Sequence, residues 1–154
     1  MLDWMPNQRG SEGCLGEFDL DDLIWTIPEE RTKTGAVHRV PLTDQMLGII
    51  EPLQALRSQC VFEGQRRHTP LSNMSMLMLL RRMEIEGVTV HGFRSAFRDW
   101  ASEVGNHPRE VAELSLGHKV GSEVERAYAR SDLLSRRREL MRDWNLFACS
   151  QCGG

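Results

Sequence analysis

Tyr128 is the only tyrosine in the chain, so chemistry that needs a phenol has a single candidate. Ahead of it lie a cation and two imidazoles at ordered intervals: His91 and Arg94 in V-H-G-F-R, then His118 in L-S-L-G-H-K, with Tyr128 itself in E-R-A-Y-A-R. Residues three apart on a helix share a face, so His91 and Arg94 can converge on one ligand. Gly117 stands where a helix C-terminus favours a left-handed residue, which puts His118 on the turn that follows. A phenol is a poor nucleophile near neutral pH, its ordinary pKa being about 10. Nearby positive charge favours the phenolate. The same charge stabilises a phosphodiester as negative charge builds on its non-bridging oxygens. Arg94 suits that task because a guanidinium stays charged and grips two phosphate oxygens at once. His91 and His118 can donate further hydrogen bonds or carry the nucleophile's proton. With enough fixed cations such a site needs neither a metal nor a cofactor, and none is expected.

A scaffold must bring these groups together. Leu23-Ile24-Trp25-Thr26-Ile27 is a β-prone run closed by Pro28, and Val37 to Leu42 reads as a second strand. Lys33-Thr34-Gly35 between them forms the turn, giving a hairpin with Lys33 near its tip. Thr43-Asp44 caps a helix to about Arg57, which Pro52 should kink or end early. Cys60 to Phe62 reads as a brief strand and Glu63 to Leu71 as a polar loop. A helix from Ser72 or Asn73 to about Glu86 is apolar nearly all round (Met74, Leu77, Met78, Leu80) and is expected to be buried on more than one side.

The helix from His91 to Val104, closed by Gly105, carries Phe93, Phe97, Trp100 and Ala101 toward the core. His91, Arg94 and Arg98 are assigned to the opposite stripe. Further helices are expected from Pro108 to Leu116, from Ser122 to Ala129, and from Asp132, as N-cap, to Trp144. Arg136-Arg137-Arg138 reads as a solvated face. The fold class is mainly α (α+β), with a small antiparallel sheet near the N-terminus. Residues 1–22 are expected to be irregular, 23–147 to form the domain and 148–154 a disordered tail.

At 154 residues the chain is one domain with room for a core, and 40% hydrophobic with 27% charged content is ordinary for a soluble protein. No apolar run approaches the ~18 residues of a membrane span, and no basic-then-apolar leader opens the chain, so a cytoplasmic protein is expected. Cys149-Ser-Gln-Cys152 has C-x-x-C spacing but is a single pair, and zinc would need more ligands. The net charge of −3 argues at first against a nucleic-acid partner. Eight of the acidic residues fall within the first thirty positions beside one base, Arg9, so residues 31–154 carry 18 bases against 14 acids. Whether that mild excess gathers on one face is what matters.

Taken together, His-x-x-Arg, Leu-Gly-His and a tyrosine ten residues later resemble the C-terminal signature of the tyrosine recombinases, the phage-integrase family, over roughly Leu23 to Phe147. The resemblance implies a site-specific DNA recombinase or integrase catalytic domain of a prophage or other mobile element. Double-stranded DNA would be the partner and the bacterial nucleoid the place of action. It implies that Tyr128 attacks a DNA phosphate to give a 3′-phosphotyrosyl intermediate, that Arg94 is the second catalytic arginine, and that His91 and His118 flank it. Lys33, in R-T-K-T-G-A-V-H-R-V-P-L, would be the hairpin lysine that protonates the leaving oxygen. The family's tetramer on DNA implies a homo-oligomer through the segment after the tyrosine, with Leu133 to Phe147 either playing that part or folding back in cis. One member of the family's set is absent: where a first arginine belongs, aligning on F-D-L-D-D puts Pro6, with Arg9 three residues away. The expected alternative is therefore an N-terminally truncated, DNA-binding remnant of impaired activity.

Overall fold

β-Branched and aromatic side chains favour a pleated strand, and Ile24–Ile27 is the central strand of a three-stranded antiparallel sheet in the computed structural model, which describes residues 15–55, 61–64, 70–72, 74–121 and 132–150. In chain order the strands are β1 (Phe18–Asp19), β2 (Ile24–Ile27) and β3 (His38–Pro41). The hairpin pairs Ile24 with Pro41 and Ile27 with His38. β1 arises in a stretch expected to be irregular. Its cause is aromatic: Phe18 stacks on its cross-strand partner Trp25 at 5.1 Å, and the indole Nε1–H donates to Glu17 at 3.0 Å. At the hairpin turn the Ala36 N–H donates to Thr32 Oγ1 at 3.1 Å, and Gly35 takes the positive φ of 64° that closes it.

Five helices follow among the described residues: α1 (Asp44–Ala55), α2 (Ser75–Arg82), α3 (Gly92–Glu103), α4 (Arg109–Ser115) and α5 (Leu134–Ser150). Pro52 neither ends α1 nor marks its boundary; the helix runs on to Ala55. Phe62 forms no strand, and among the described residues of that region the only pairing is an isolated bridge between Glu63 and Pro70. α2 is shorter than its apolar pattern suggested, stopping before Glu84, whose φ of 53° is left-handed. It buries Leu80 alone, while Met74, Met78 and Met83 stay exposed, so the expected burial on several sides does not occur. Pro108, expected as the first helical residue, is instead the N-cap of α4, which begins one residue later at Arg109. α5 extends to Ser150, past the point where a disordered tail was expected. The helix expected at 122–129 lies outside the described residues. No helix among the described residues is long and apolar enough to cross a membrane.

The core forms where α3, α4 and α5 meet. Phe97, Trp100 and Ala101 pack with Val111, Ala112, Leu116, Leu140 and Met141, and Met46, Leu133 and Trp144 close over them. Phe97 meets the Trp144 ring edge-on at 5.4 Å, a preferred aromatic geometry. Phe93, expected in this core, is 41% exposed at its margin. α5 contributes Leu140, Met141 and Trp144 to this core.

A buried cation fastens α5 to the sheet. Arg137, expected on a solvated face, is only 2% exposed; its Nη2 donates to the Arg39 carbonyl in β3. Asp132 receives Arg39 Nη2 at 2.8 Å and lies 3.7 Å from Arg137 Nη1, so it clasps two guanidinium groups instead of capping the helix. Burial lowers the Arg137 pKa to about 10, which leaves it charged near neutral pH.

Leu140 is fully buried in this core, whereas Leu146 on the same helix is 61% exposed. Leu140→Ala is expected to destabilise the chain by about 2–5 kcal/mol and Leu146→Ala by less than about 0.5 kcal/mol, read from urea midpoints. Equal costs would contradict this packing.

Candidate active site

Arg94, Phe97 and Ala101 stand at i, i+3 and i+7 on α3, so the helical period that drives the two apolar residues into the core carries the arginine inward with them. Arg94 is 9% exposed, not on the solvent-facing stripe expected of it; His91 and Arg98 remain exposed. A guanidinium removed from water needs partners. Arg94 Nη2 donates to the Leu116 carbonyl at 2.9 Å and to His118 Nε2 at 2.5 Å. Leu116 is the C-cap of α4, so its carbonyl belongs to the set left without intrahelical partners at the negative end of the helix, where a cation is favoured.

The end of α4 explains why His118 reaches that spot. Gly117 has φ 72°; its N–H donates to Leu114 O at 3.1 Å, and the His118 N–H donates to Glu113 O at 3.0 Å. This pair of bonds is a Schellman turn, which folds the chain back over the last helical turn. His118 consequently hangs over α4, with its Nδ1 2.5 Å from Glu113 Oε2 and its Nε2 on Arg94. A row of three groups results, carboxylate to imidazole to guanidinium, running from the rim of α4 into the buried side of α3.

His38, at the start of β3, lies beneath this row. A Cβ added at Gly117 would sit 3.6 Å from His38 Nε2, so the turn and the imidazole are in close register. A small cavity of about 50 Å³ lies between sheet and helices here, lined by Trp25, His38, Arg94, Phe97 and Trp144 among others. Burial, then the Arg137 charge, with Arg94 adding to it, lower the His38 pKa to about 4 against the opposing pull of the Ser115 backbone and Asp132. His38 is therefore neutral at physiological pH, wedged between two guanidinium groups without adding to their charge.

Of the five residues singled out in the sequence, the structure joins Arg94 and His118 directly. His91 stands exposed at the N-cap of α3, one turn ahead, its carbonyl accepting the Arg94 N–H at 3.0 Å. Lys33 is exposed in the hairpin turn and forms no hydrogen bond with Arg94 or His118. Tyr128 lies outside the described residues, as do Pro6 and Arg9. Glu113 and His38 were not foreseen. The Leu-Gly-His spacing was the available signal for Glu113, because a Schellman turn returns the residue after its glycine to the residue five positions earlier.

Relatives of the chain are named as phage and prophage integrases. The model of the phage integrase family matches residues 9–133, and the chain belongs to that family. It is 36% identical over 140 residues to prophage integrase IntA of Escherichia coli K12, covering 88% of this chain and 34% of that protein. It is 29% identical over 131 residues to the integrase of Shigella phage Sf6 and, over the same length, to prophage integrase IntS of Escherichia coli K12, covering 82% of this chain and 34% of each relative. The chain thus spans about a third of the length of these curated relatives. No solved structure matches it.

The His38 shift has a sign that can be measured. Between its ordinary value of 6.5 and about 4, the unfolded chain binds a proton that the folded chain refuses. Stability is therefore level above pH 6.5 and falls as pH drops toward 4, by at most about 3 kcal/mol from this residue. Urea unfolding at pH 7 and pH 4.5 should show that loss, and His38→Gln should shrink it by at least about 1 kcal/mol. An identical acid loss in His38→Gln would rule out the buried neutral imidazole.

Proposed function

We propose that this chain is the catalytic part of a site-specific DNA recombinase that cleaves and rejoins double-stranded DNA through a 3′-phosphotyrosyl intermediate. The observation that carries the reading is the buried Arg94 guanidinium with His118 fixed on it, in a chain of the phage integrase family. A phosphodiester placed over Arg94 meets a cation that is held in place before the reaction begins. Such pre-set charge is what lowers barriers in phosphoryl transfer.

In the proposed sequence of steps, the Tyr128 oxygen attacks the phosphorus of one strand as the phenol gives up its proton to His118 or His91. The bond from phosphorus to the 5′ oxygen breaks, and Lys33 protonates that oxygen as it leaves. The phosphotyrosyl ester keeps the energy of the broken bond, so a second 5′-hydroxyl can attack it, release Tyr128 and restore a phosphodiester without ATP. Arg94, assisted by the histidines, holds the non-bridging oxygens throughout. The reaction would take place on the nucleoid, within a tetramer that assembles on two duplexes.

A second reading has its own motive. With Pro6 at the place of the family's first arginine and Arg9 three residues away, the chain would bind DNA without cleaving it. One experiment separates the two. A duplex carrying the crossover site and a nick beside it traps a covalent adduct if cleavage occurs. Wild type is expected to form the adduct, Tyr128→Phe to form none, and Arg94→Ala to form it about 10²–10³ times more slowly. Binding that weakens steeply with salt, with no adduct from wild type, would instead support the binding remnant. An adduct that survives Tyr128→Phe would contradict the proposed mechanism.

A further inference from the structure

Glu113 takes no part in the chemistry proposed above, yet it stands directly behind His118. Its side chain is 15% exposed, with Oε2 2.5 Å from His118 Nδ1 and Oε1 3.9 Å from the exposed Arg109. The opposite edge of the ring, Nε2, lies 2.5 Å from Arg94 Nη2. A guanidinium has only donors. Nε2 must therefore be the acceptor and carry no proton, which places the single proton of the neutral ring on Nδ1. That N–H donates to the Glu113 carboxylate, a charge-assisted bond. The backbone reinforces the arrangement, since the His118 N–H is bonded to the carbonyl of the same Glu113. Main chain and side chain of one residue thus hold His118 together.

We infer that Glu113 is a positioning residue: it holds His118 in the Nδ1–H tautomer, so that the lone pair on Nε2 faces Arg94 and the reacting phosphate. With the proton on Nε2 instead, the ring would meet Arg94 donor against donor. With Nε2 bare, it can take up the phenol's proton once Arg94 Nη2 exchanges its bond to the ring for one to a phosphate oxygen, and the imidazolium so formed stays hydrogen-bonded to a carboxylate through Nδ1. A carboxylate behind an imidazole plays this part in hydrolase triads, where it sets tautomer and orientation and stabilises the imidazolium. The catalytic consequence rests on the recombinase reading; the tautomer is a property of the folded chain alone.

Two measurements on the full chain separate these layers. Nitrogen-15 correlation spectra of the histidine rings report which nitrogen bears the proton, and the nicked-duplex assay reports the rate of adduct formation. Wild-type His118 is expected to show a protonated Nδ1 and a bare Nε2. Glu113→Ala frees the ring to swing off Arg94, so it should move most of the population to Nε2–H and slow adduct formation about tenfold or more. Glu113→Gln, whose amide oxygen still accepts the Nδ1–H bond, should keep the tautomer and recover much of the rate. A wild-type ring protonated on Nε2 overturns the inference, even if Glu113→Ala fails to fold. So does a folded Glu113→Ala chain with an unchanged tautomer. The expected tautomers with no adduct from any of the three proteins would uphold the positioning by Glu113 and overturn the recombinase reading instead.

Discussion

A guanidinium cannot be carried into a protein interior without hydrogen-bond acceptors, and the arrangement around Arg94 follows from that constraint. Leaving a buried charge without its partners costs several kcal/mol, so α3 can present Arg94 inward only where a neighbouring element supplies lone pairs. The C-terminus of α4 supplies them: the unpaired Leu116 carbonyl, and beyond the Gly117 turn the bare nitrogen of His118. The contact of α3 with α4 and the left-handed glycine that turns His118 back are linked to the placing of one cation.

The sheet serves the same end from below. β3 brings His38 under the row, neutral because burial and two nearby guanidinium groups hold its pKa near 4. A second buried cation, Arg137, binds β3 to the first turn of α5 through the Arg39 carbonyl and Asp132. Among the described residues the two buried cations, Arg94 and Arg137, both lie along the seam between sheet and helices and are matched there by carbonyls and a carboxylate. The net charge of −3 conceals this, as a sum over the whole chain says nothing about where cations are gathered.

Much of this was legible in the sequence, and the misses have physical causes. The hairpin, α3, α4 and the last helix follow from β-branched runs, glycine stops and helical spacing. Arg94 was placed on the wrong stripe because its charge outweighed its spacing, although i, i+3 and i+7 with Phe97 and Ala101 already set its direction. Asp132 has the composition of an N-cap, and only the tertiary contact with Arg39 and Arg137 gives it a different task. Arg137 lies among three consecutive arginines, and no local pattern tells which of them a neighbouring strand will cover. β1 depends on a stacking pair, Phe18 with Trp25, formed across a turn. Glu113 was missed because its role emerges only when the Gly117 turn, signalled by Leu-Gly-His, is followed through to the residue five positions before His118.

The central claim is that Arg94 and His118 form the seat of a single phosphate group on which Tyr128 acts. A structure of the chain bound to duplex DNA containing its crossover site tests it most directly. The account predicts one backbone phosphate with a non-bridging oxygen within hydrogen-bond distance of Arg94, His118 beside it, and the Tyr128 hydroxyl facing the same phosphorus. A duplex seated on another surface, with Arg94 still closed against Leu116 and no phosphate within reach, would contradict it.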